Sequence, residues 1–191
     1  MILVLEITGL ERHLCTKAMD RKNKKISKIL DKYKSSFSSS DLSSLEELLS
    51  NDLSSNEYSL FSDGACEFDD EYKPINAGIG GVVKLKDKNI FSFSENVGVK
   101  TNNEAEYLAL IKGLELCLEN DISFISIFAD SELVVKQING DYKVKNERMA
   151  TLHKKTHELL SKFNSWSINH VLRDKNTEAD DLSKQGLSKK N

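Results

Sequence analysis

The chain has 191 residues, enough for one mid-sized domain plus a small appendage. Its 39% hydrophobic and 30% charged residues set it apart from disordered chains, and a net charge of -3 confines any polyanion binding to local patches. The three cysteines, Cys15, Cys66 and Cys117, are scattered without a CxxC pair, which argues against a disulfide framework or a zinc site and predicts a reducing, cytoplasmic setting. The apolar start, Ile2 to Leu5, is broken by Glu6 and is too short for a signal peptide or a membrane span, so no membrane association is expected.

Composition changes near residue 57, and two regions follow: 1–56, helical and serine-rich, of unassigned role, and 57–191, the catalytic candidate. A helix is predicted from Leu10 to Phe37, with Ile26, Ile29, Leu30, Tyr33 and Phe37 at helical spacing. Between Lys17 and Lys34, eight basic residues face only Asp20 and Asp31. Lys17, Arg21, Lys24, Lys28 and Lys32 fall on one stripe, a candidate accessory contact to a phosphate backbone, or a solvated helix face. Ser35 to Ser44 reads as a connector, and Ser44 with Glu47 has the form of a capping box for a second helix, Leu45 to Leu53.

The second region alternates strands and helices. Strands are predicted at Tyr58 to Ser62, Ala77 to Leu85 and Asn89 to Phe93. Gly80 and Gly81 inside the second strand imply close backbone approach or a bulge. A long helix follows from Asn102 to Leu118, with Tyr107, Leu110, Ile111 and Leu114 on one side and Asn102 or Asn103 as candidate caps. Then come a strand from Ile122 to Phe128, a helix from Ser131 to Ile138 ending near Gly140, and a helix from Glu147 to Phe163. A fifth strand, Trp166 to Leu172, and a last helix, Thr177 to Leu187, complete the pattern. This order implies an α/β fold: a five-stranded mixed sheet with helices on both faces.

Four acids fall where this layout would gather them. Asp63 is placed at the end of the first strand, Glu106 in the first turns of the long helix, Asp130 at the end of the fourth strand and Asp180 early in the last helix. Ligands of open α/β sheets collect at strand carboxyl ends. Clustered carboxylates repel one another unless a cation neutralises them, and oxygen-only ligands suit Mg²⁺ or Mn²⁺. Glu104, two positions from Glu106, points elsewhere on its helix and cannot share its role. His153 and His157 are four apart on one helix face, but neither a cysteine nor a third histidine such as His13 completes a zinc site.

Two runs carry a resemblance: Thr-Asn-Asn-x-Ala-Glu at Thr101 to Glu106, and His-Val-x-Arg-x-x-Asn-x-x-Ala-Asp-x-Leu at His170 to Leu182. With Asp63 and Asp130 they make the stretch from Tyr58 to Leu187 resemble type 1 ribonuclease H. The resemblance implies the ribonuclease H-like fold and an endonuclease that hydrolyses the RNA strand of RNA/DNA hybrids with two divalent cations, Mg²⁺ or Mn²⁺, leaving 5′-phosphate and 3′-hydroxyl ends. It implies that Asp63 bridges both ions, that Glu106 and Asp130 hold the one nearer the leaving group, that Asp180 holds the other, and that His170 assists product departure. It further implies contacts to RNA at Gly64, Ala65, Cys66 and Glu106, contacts to the DNA strand at Thr101, Asn102 and Asn103, and substrate contacts at Ser131 and Asn176. Glu132 stands where many relatives carry glutamine. The short path from Ile138 to Glu147 offers only Lys143, Lys145 and Arg148, so the basic protrusion of bacterial relatives is absent. Compact forms of this kind include some that also cut double-stranded RNA. No obligate protein partner is expected. The rival readings are another nuclease of the same fold class and a non-catalytic hybrid-binding module.

Overall fold

The computed structural model describes residues 58–189, within the unit spanning 56–191. The predicted helices at Leu10 to Phe37 and Leu45 to Leu53, and the basic stripe of Lys17, Arg21, Lys24, Lys28 and Lys32, lie outside the described residues.

Five strands form one sheet in the order β3-β2-β1-β4-β5. β1 (Tyr58–Phe68), β2 (Pro74–Leu85) and β3 (Lys88–Gly98) form an antiparallel meander. β4 (Phe124–Ala129) lies parallel to β1, and β5 (Ser165–His170) parallel to β4. Between them run α1 (Asn102–Glu119), α2 (Glu132–Ile138) and α3 (Glu147–Leu160), and after β5 a short 3₁₀ turn (Arg173–Lys175) leads into α4 (Thr177–Leu187). Among the described residues no helix is long and apolar enough to cross a membrane.

The strand alternation assigns the two faces. Leu60 and Gly64 point toward α1, where a Cβ on Gly64 would fall 2.4 Å from the Ala105 backbone and one on Gly113 would meet Leu60. Asp63 and its cross-strand partner Gly80 point toward α4. Helices thus cover both faces, as predicted. Tyr107, Leu110, Ile111, Leu114 and Cys117 of α1 are buried with Leu60, Ile79, Val83, Ile125 and Ile127 in the main core.

The boundaries correct several expectations. β1 continues to Phe68, so Asp63 lies inside the strand and not at its end. The extension follows from the ladder: β2 pairs with β1 from Leu85 opposite Tyr58 to Pro74 opposite Phe68, and tertiary pairing overrides the weak strand propensity of Asp63-Gly64-Ala65. The parallel pairing of β1 with β4, by contrast, stops at Ser62 opposite Ala129. Asp63 therefore sits where the β1–β4 ladder opens. Ile122 is buried but precedes β4. Its N–H bonds to Cys117 O at 2.9 Å and the Asp121 N–H to Leu118 O, with Asp121 at φ 58, which closes α1 in a Schellman motif. The same closure at Gly140, φ 84, ends α2 where expected. Phe163 lies beyond α3, anchored in the core, and Leu172 lies beyond β5, 68% exposed. Gly80 and Gly81 mark close approach without a bulge: a Cβ on Gly80 would fall 2.2 Å from Ser183 N, and one on Gly81 2.6 Å from the Phe93 ring.

Candidate active site

The site forms where β1 and β4 part. Asp63 projects from within β1 on the α4 side, Asp130 follows the last residue of β4, and Glu106 arrives from the second turn of α1. The packing of α1 against β1 sets that last position, because Gly64 has no side chain to hold the Ala105–Glu106 backbone off the strand. The Gly64 N–H donates to Glu106 Oε2 at 3.3 Å. One carboxylate oxygen from each of Asp63, Glu106 and Asp130 lies within 4.8 Å of the others.

Their electrostatics are those of a cluster short of positive charge. Burial pushes the Glu106 carboxyl up to about 9, and the charges of Asp63 and Asp130 add to it against the Gly64 N–H and Arg173. Burial raises Asp63 to about 6, with Asp130 and Asp180 contributing and the Ser183 hydroxyl opposing. Ser183 Oγ donates to Asp63 Oδ2. Asp130 Oδ1 is buried and has no hydrogen-bond partner. Three carboxylates with oxygens within 4.8 Å of one another, one of them carrying an orphaned buried acceptor, fit a hard divalent cation.

A cavity of about 600 Å³ opens on this triad. Gly64, Ala65, Cys66, Asn102, Ser131 and His170 line it. His170 ends β5, exposed, with Nε2 3.2 Å from the Asp130 carbonyl oxygen. The Cys66 thiol donates to Lys100 O at 3.1 Å. Asp180 stands apart from the triad: Oδ1 accepts from Arg173 and Oδ2 from Lys184. Burial would raise its carboxyl, but these two cations hold it below the ordinary range. Asn176 is buried at 1% exposure and lines neither this cavity nor the smaller one beside Thr101. Its Nδ2 donates to Ser62 O at 3.0 Å, so it ties the start of α4 to β1, a place that does not support a substrate contact.

Thr101 and Asn103 line that second cavity, of about 400 Å³, on the other side of the α1 N-terminus. Thr101, and not Asn102 or Asn103, caps the helix: its hydroxyl accepts from the Glu104 N–H, and Glu104 Oε2 accepts from the Thr101 N–H at 2.9 Å. Glu104 Oε1 meets Arg148 at 3.4 Å. Lys143, Lys145 and Arg148, the sparse cations of the α2–α3 path, all line this cavity, beside Asn146, which caps α3. Glu132 turns outward to Lys136 at 2.6 Å. His153 and His157 lie with ring centroids 4.5 Å apart. Among the described residues the acidic triad is the metal-type cluster found.

Sequence reasoning missed Ser183, Lys184 and Asn146 and gave Arg173 no role. Lys184 was findable as the i+4 neighbour of Asp180, and Arg173 stood inside the second motif. Nothing local marks Ser183, whose partner lies 120 residues away.

Residues 62–186 match the family described as reverse transcriptase-like. Ribonuclease HI of Halobacterium salinarum is 36% identical over 115 residues, 60% of this chain and 58% of that protein. The chain thus spans little more than half the length of that relative. The crystal structure of RNase H1 from the same archaeon superposes with a TM-score of 0.65 at 32% identity, covering 69% of this chain and 98% of that one. LC11-RNase H1, isolated from compost and solved in complex with an RNA/DNA hybrid, gives 0.63 at 30%, covering 69% and 97%. With the fold and these identities in agreement, the chain belongs to the type 1 ribonuclease H family.

Proposed function

We propose that this protein is an endonuclease that hydrolyses the RNA strand of RNA/DNA hybrids by a two-metal-ion mechanism. The observation that carries the reading is the triad of buried Asp63 and Glu106 with half-buried Asp130, whose Oδ1 is an orphaned acceptor, lining the 600 Å³ cavity. These three residues would hold Mg²⁺ or Mn²⁺, with Asp180 as the fourth ligand. When bound, the ions supply a water activated near neutral pH and neutralise charge on the leaving oxygen. The chain supplies the rest. Asp63 and Glu106 are kept in place by Ser183 and the Gly64 N–H. The β1 segment Gly64 to Cys66 lines the cavity where an RNA strand would present its 2′-hydroxyls, the groups that distinguish RNA from DNA. Thr101 and Asn103, with Lys143, Lys145 and Arg148, suit the phosphates of the paired DNA strand. His170, exposed at the end of β5, would assist the departure of the product.

The test is a gel assay on end-labelled hybrid, double-stranded RNA and single-stranded RNA, with Mg²⁺ or Mn²⁺. Hybrid cleavage leaving 5′-phosphate and 3′-hydroxyl ends is expected, and Asp63→Asn should abolish it. Products ending in a cyclic phosphate, or full activity in Asp63→Asn, would overturn the mechanism. Equal cleavage of double-stranded RNA would broaden the substrate class, as in some compact relatives.

A further inference from the structure

Asp180 is the one member of the acidic set whose charge is already compensated. Both of its oxygens are occupied, Oδ1 by the Arg173 guanidinium through Nε at 3.1 Å and through Nη2, and Oδ2 by the Lys184 ammonium. Among the described residues no lysine or arginine forms an ion pair with Asp63, Glu106 or Asp130. Two cations therefore sit on one carboxylate while three carboxylates beside it have none. The Asp180 side chain is 10% exposed, whereas those of Arg173 and Lys184 are 70% and 54% exposed. Both cations line the catalytic cavity, and Asp180 does not.

We propose that Arg173 and Lys184 clamp Asp180 in the free protein and release it when the phosphodiester backbone of the substrate enters the cavity and takes over the two cations. The inference rests on the nuclease reading above. A divalent ion at Asp180 would lie against an ammonium and a guanidinium, like charges at close range, so those groups must leave first. Exposed ion pairs of long side chains are cheap to exchange, and a phosphate offers arginine a bidentate partner at least as good as the carboxylate. The contacts are built in by sequence: Lys184 follows Asp180 by one helical turn, and Arg173 projects from the 3₁₀ turn immediately before α4. Ion loading at the fourth ligand is thereby coupled to substrate, and each should strengthen the other. Free protein takes up an ion at the triad alone.

The experiment is a calorimetric titration of the full-length protein with Mn²⁺ in the absence of nucleic acid. The parent should bind one ion per chain. The double variant Arg173→Gln/Lys184→Gln should bind two, or bind its ion at least about tenfold more tightly. Adding Asp180→Asn to that variant should restore the parent isotherm. Lys189→Gln, which removes one positive charge from an exposed lysine bonded to Ser94 O, should leave the parent isotherm unaltered. Melting curves would confirm that each variant is folded. Two ions in the parent, an unchanged isotherm in the double variant, or the same gain from Lys189→Gln would overturn the clamp while leaving the triad site standing. A parent that binds no ion would instead overturn the nuclease reading and the clamp with it.

Discussion

Two glutamates of α1, two positions apart, are given different work by what surrounds them. Glu104 closes a capping box with Thr101 and meets an Arg148 side chain that is 69% exposed. Glu106 faces Asp63 and Asp130. In Glu104→Gln the amide can still close the box, and removing the exposed ion pair costs at most about 0.5 kcal/mol. Turnover on hybrid should stay near the parent value. Glu106→Gln should lower turnover by on the order of 10²–10³. The reverse ranking would show that α1 presents the wrong face. The same residues set a pH dependence. Glu106, raised from 4.5 to about 9, and Asp63, raised from 3.8 to about 6, bind protons more tightly folded than unfolded. Stability from these groups is therefore greatest below their unfolded values and is lost as pH rises through the folded ones. Asp180 and Glu104 shift the other way, so their contribution is lost only as pH falls through their depressed values, outside this window. The melting temperature of metal-free protein should fall as pH rises from about 5 to about 9. Millimolar Mg²⁺ should flatten the curve, and Glu106→Gln should remove its upper part. A metal-free curve that rises across the window would show that burial and the neighbouring charges do not hold these carboxyls up.

At the level of elements, the site depends on how closely α1 and α4 approach the sheet. Gly64 lets α1 in, and Gly80 does the same for α4. A Cβ on Gly80 would meet the Ser183 backbone nitrogen at 2.2 Å, and a helix backbone cannot yield as a side chain would. Gly80→Ala should displace α4, break the Ser183–Asp63 hydrogen bond and move Asp180. We expect a loss of about 2–3 kcal/mol, or about 5–10 °C in melting temperature for a chain of this size. Cleavage should fall although no carboxylate has changed. Gly140→Ala is the contrast: φ is 84 but nothing lies within 4 Å of an added Cβ, so the cost is backbone strain of about 1 kcal/mol and turnover should persist. Equal loss in both variants would mean that the approach of α4 is not what places the site.

For the whole molecule the question is where substrate affinity comes from when net charge is -3. The described residues offer one source in the basic linings of the two cavities, Lys143, Lys145 and Arg148 beside the α1 N-terminus and Arg173 and Lys184 at the triad. The basic stripe in residues 17–32 is a second source, proposed from sequence. Removing residues 1–56 is expected to weaken hybrid binding and to flatten its salt dependence by roughly 0.7 to 0.9 in log–log slope for each phosphate no longer neutralised. Maximal turnover should change little, since the triad lies in the remaining part. The replacement of Lys24, Lys28 and Lys32 by Gln should reproduce part of the effect. Unchanged affinity and slope in the truncated protein would exclude the stripe as a substrate-binding element.

The sequence alone determined the order of strands and helices, the two-faced sheet, and the local motifs around all four acids. Those features are written in short-range patterns: helical spacing of Tyr107, Leu110, Ile111 and Leu114, β-branched runs such as Ile125 and Ile127, and capping and turn residues such as Gly140. Their forces act over a few residues, so a linear reading finds them. The extent of β1, the capping role of Thr101, the burial of Asn176 and the gathering of Lys143, Lys145 and Arg148 on one cavity were decided by tertiary structure. So was the pairing of Asp180 with its two cations. Hydrogen bonds, ion pairs and steric approach operate over a few ångströms in space, and only the folded chain brings Ser183 to Asp63 or Asn176 to Ser62 across more than a hundred residues of sequence.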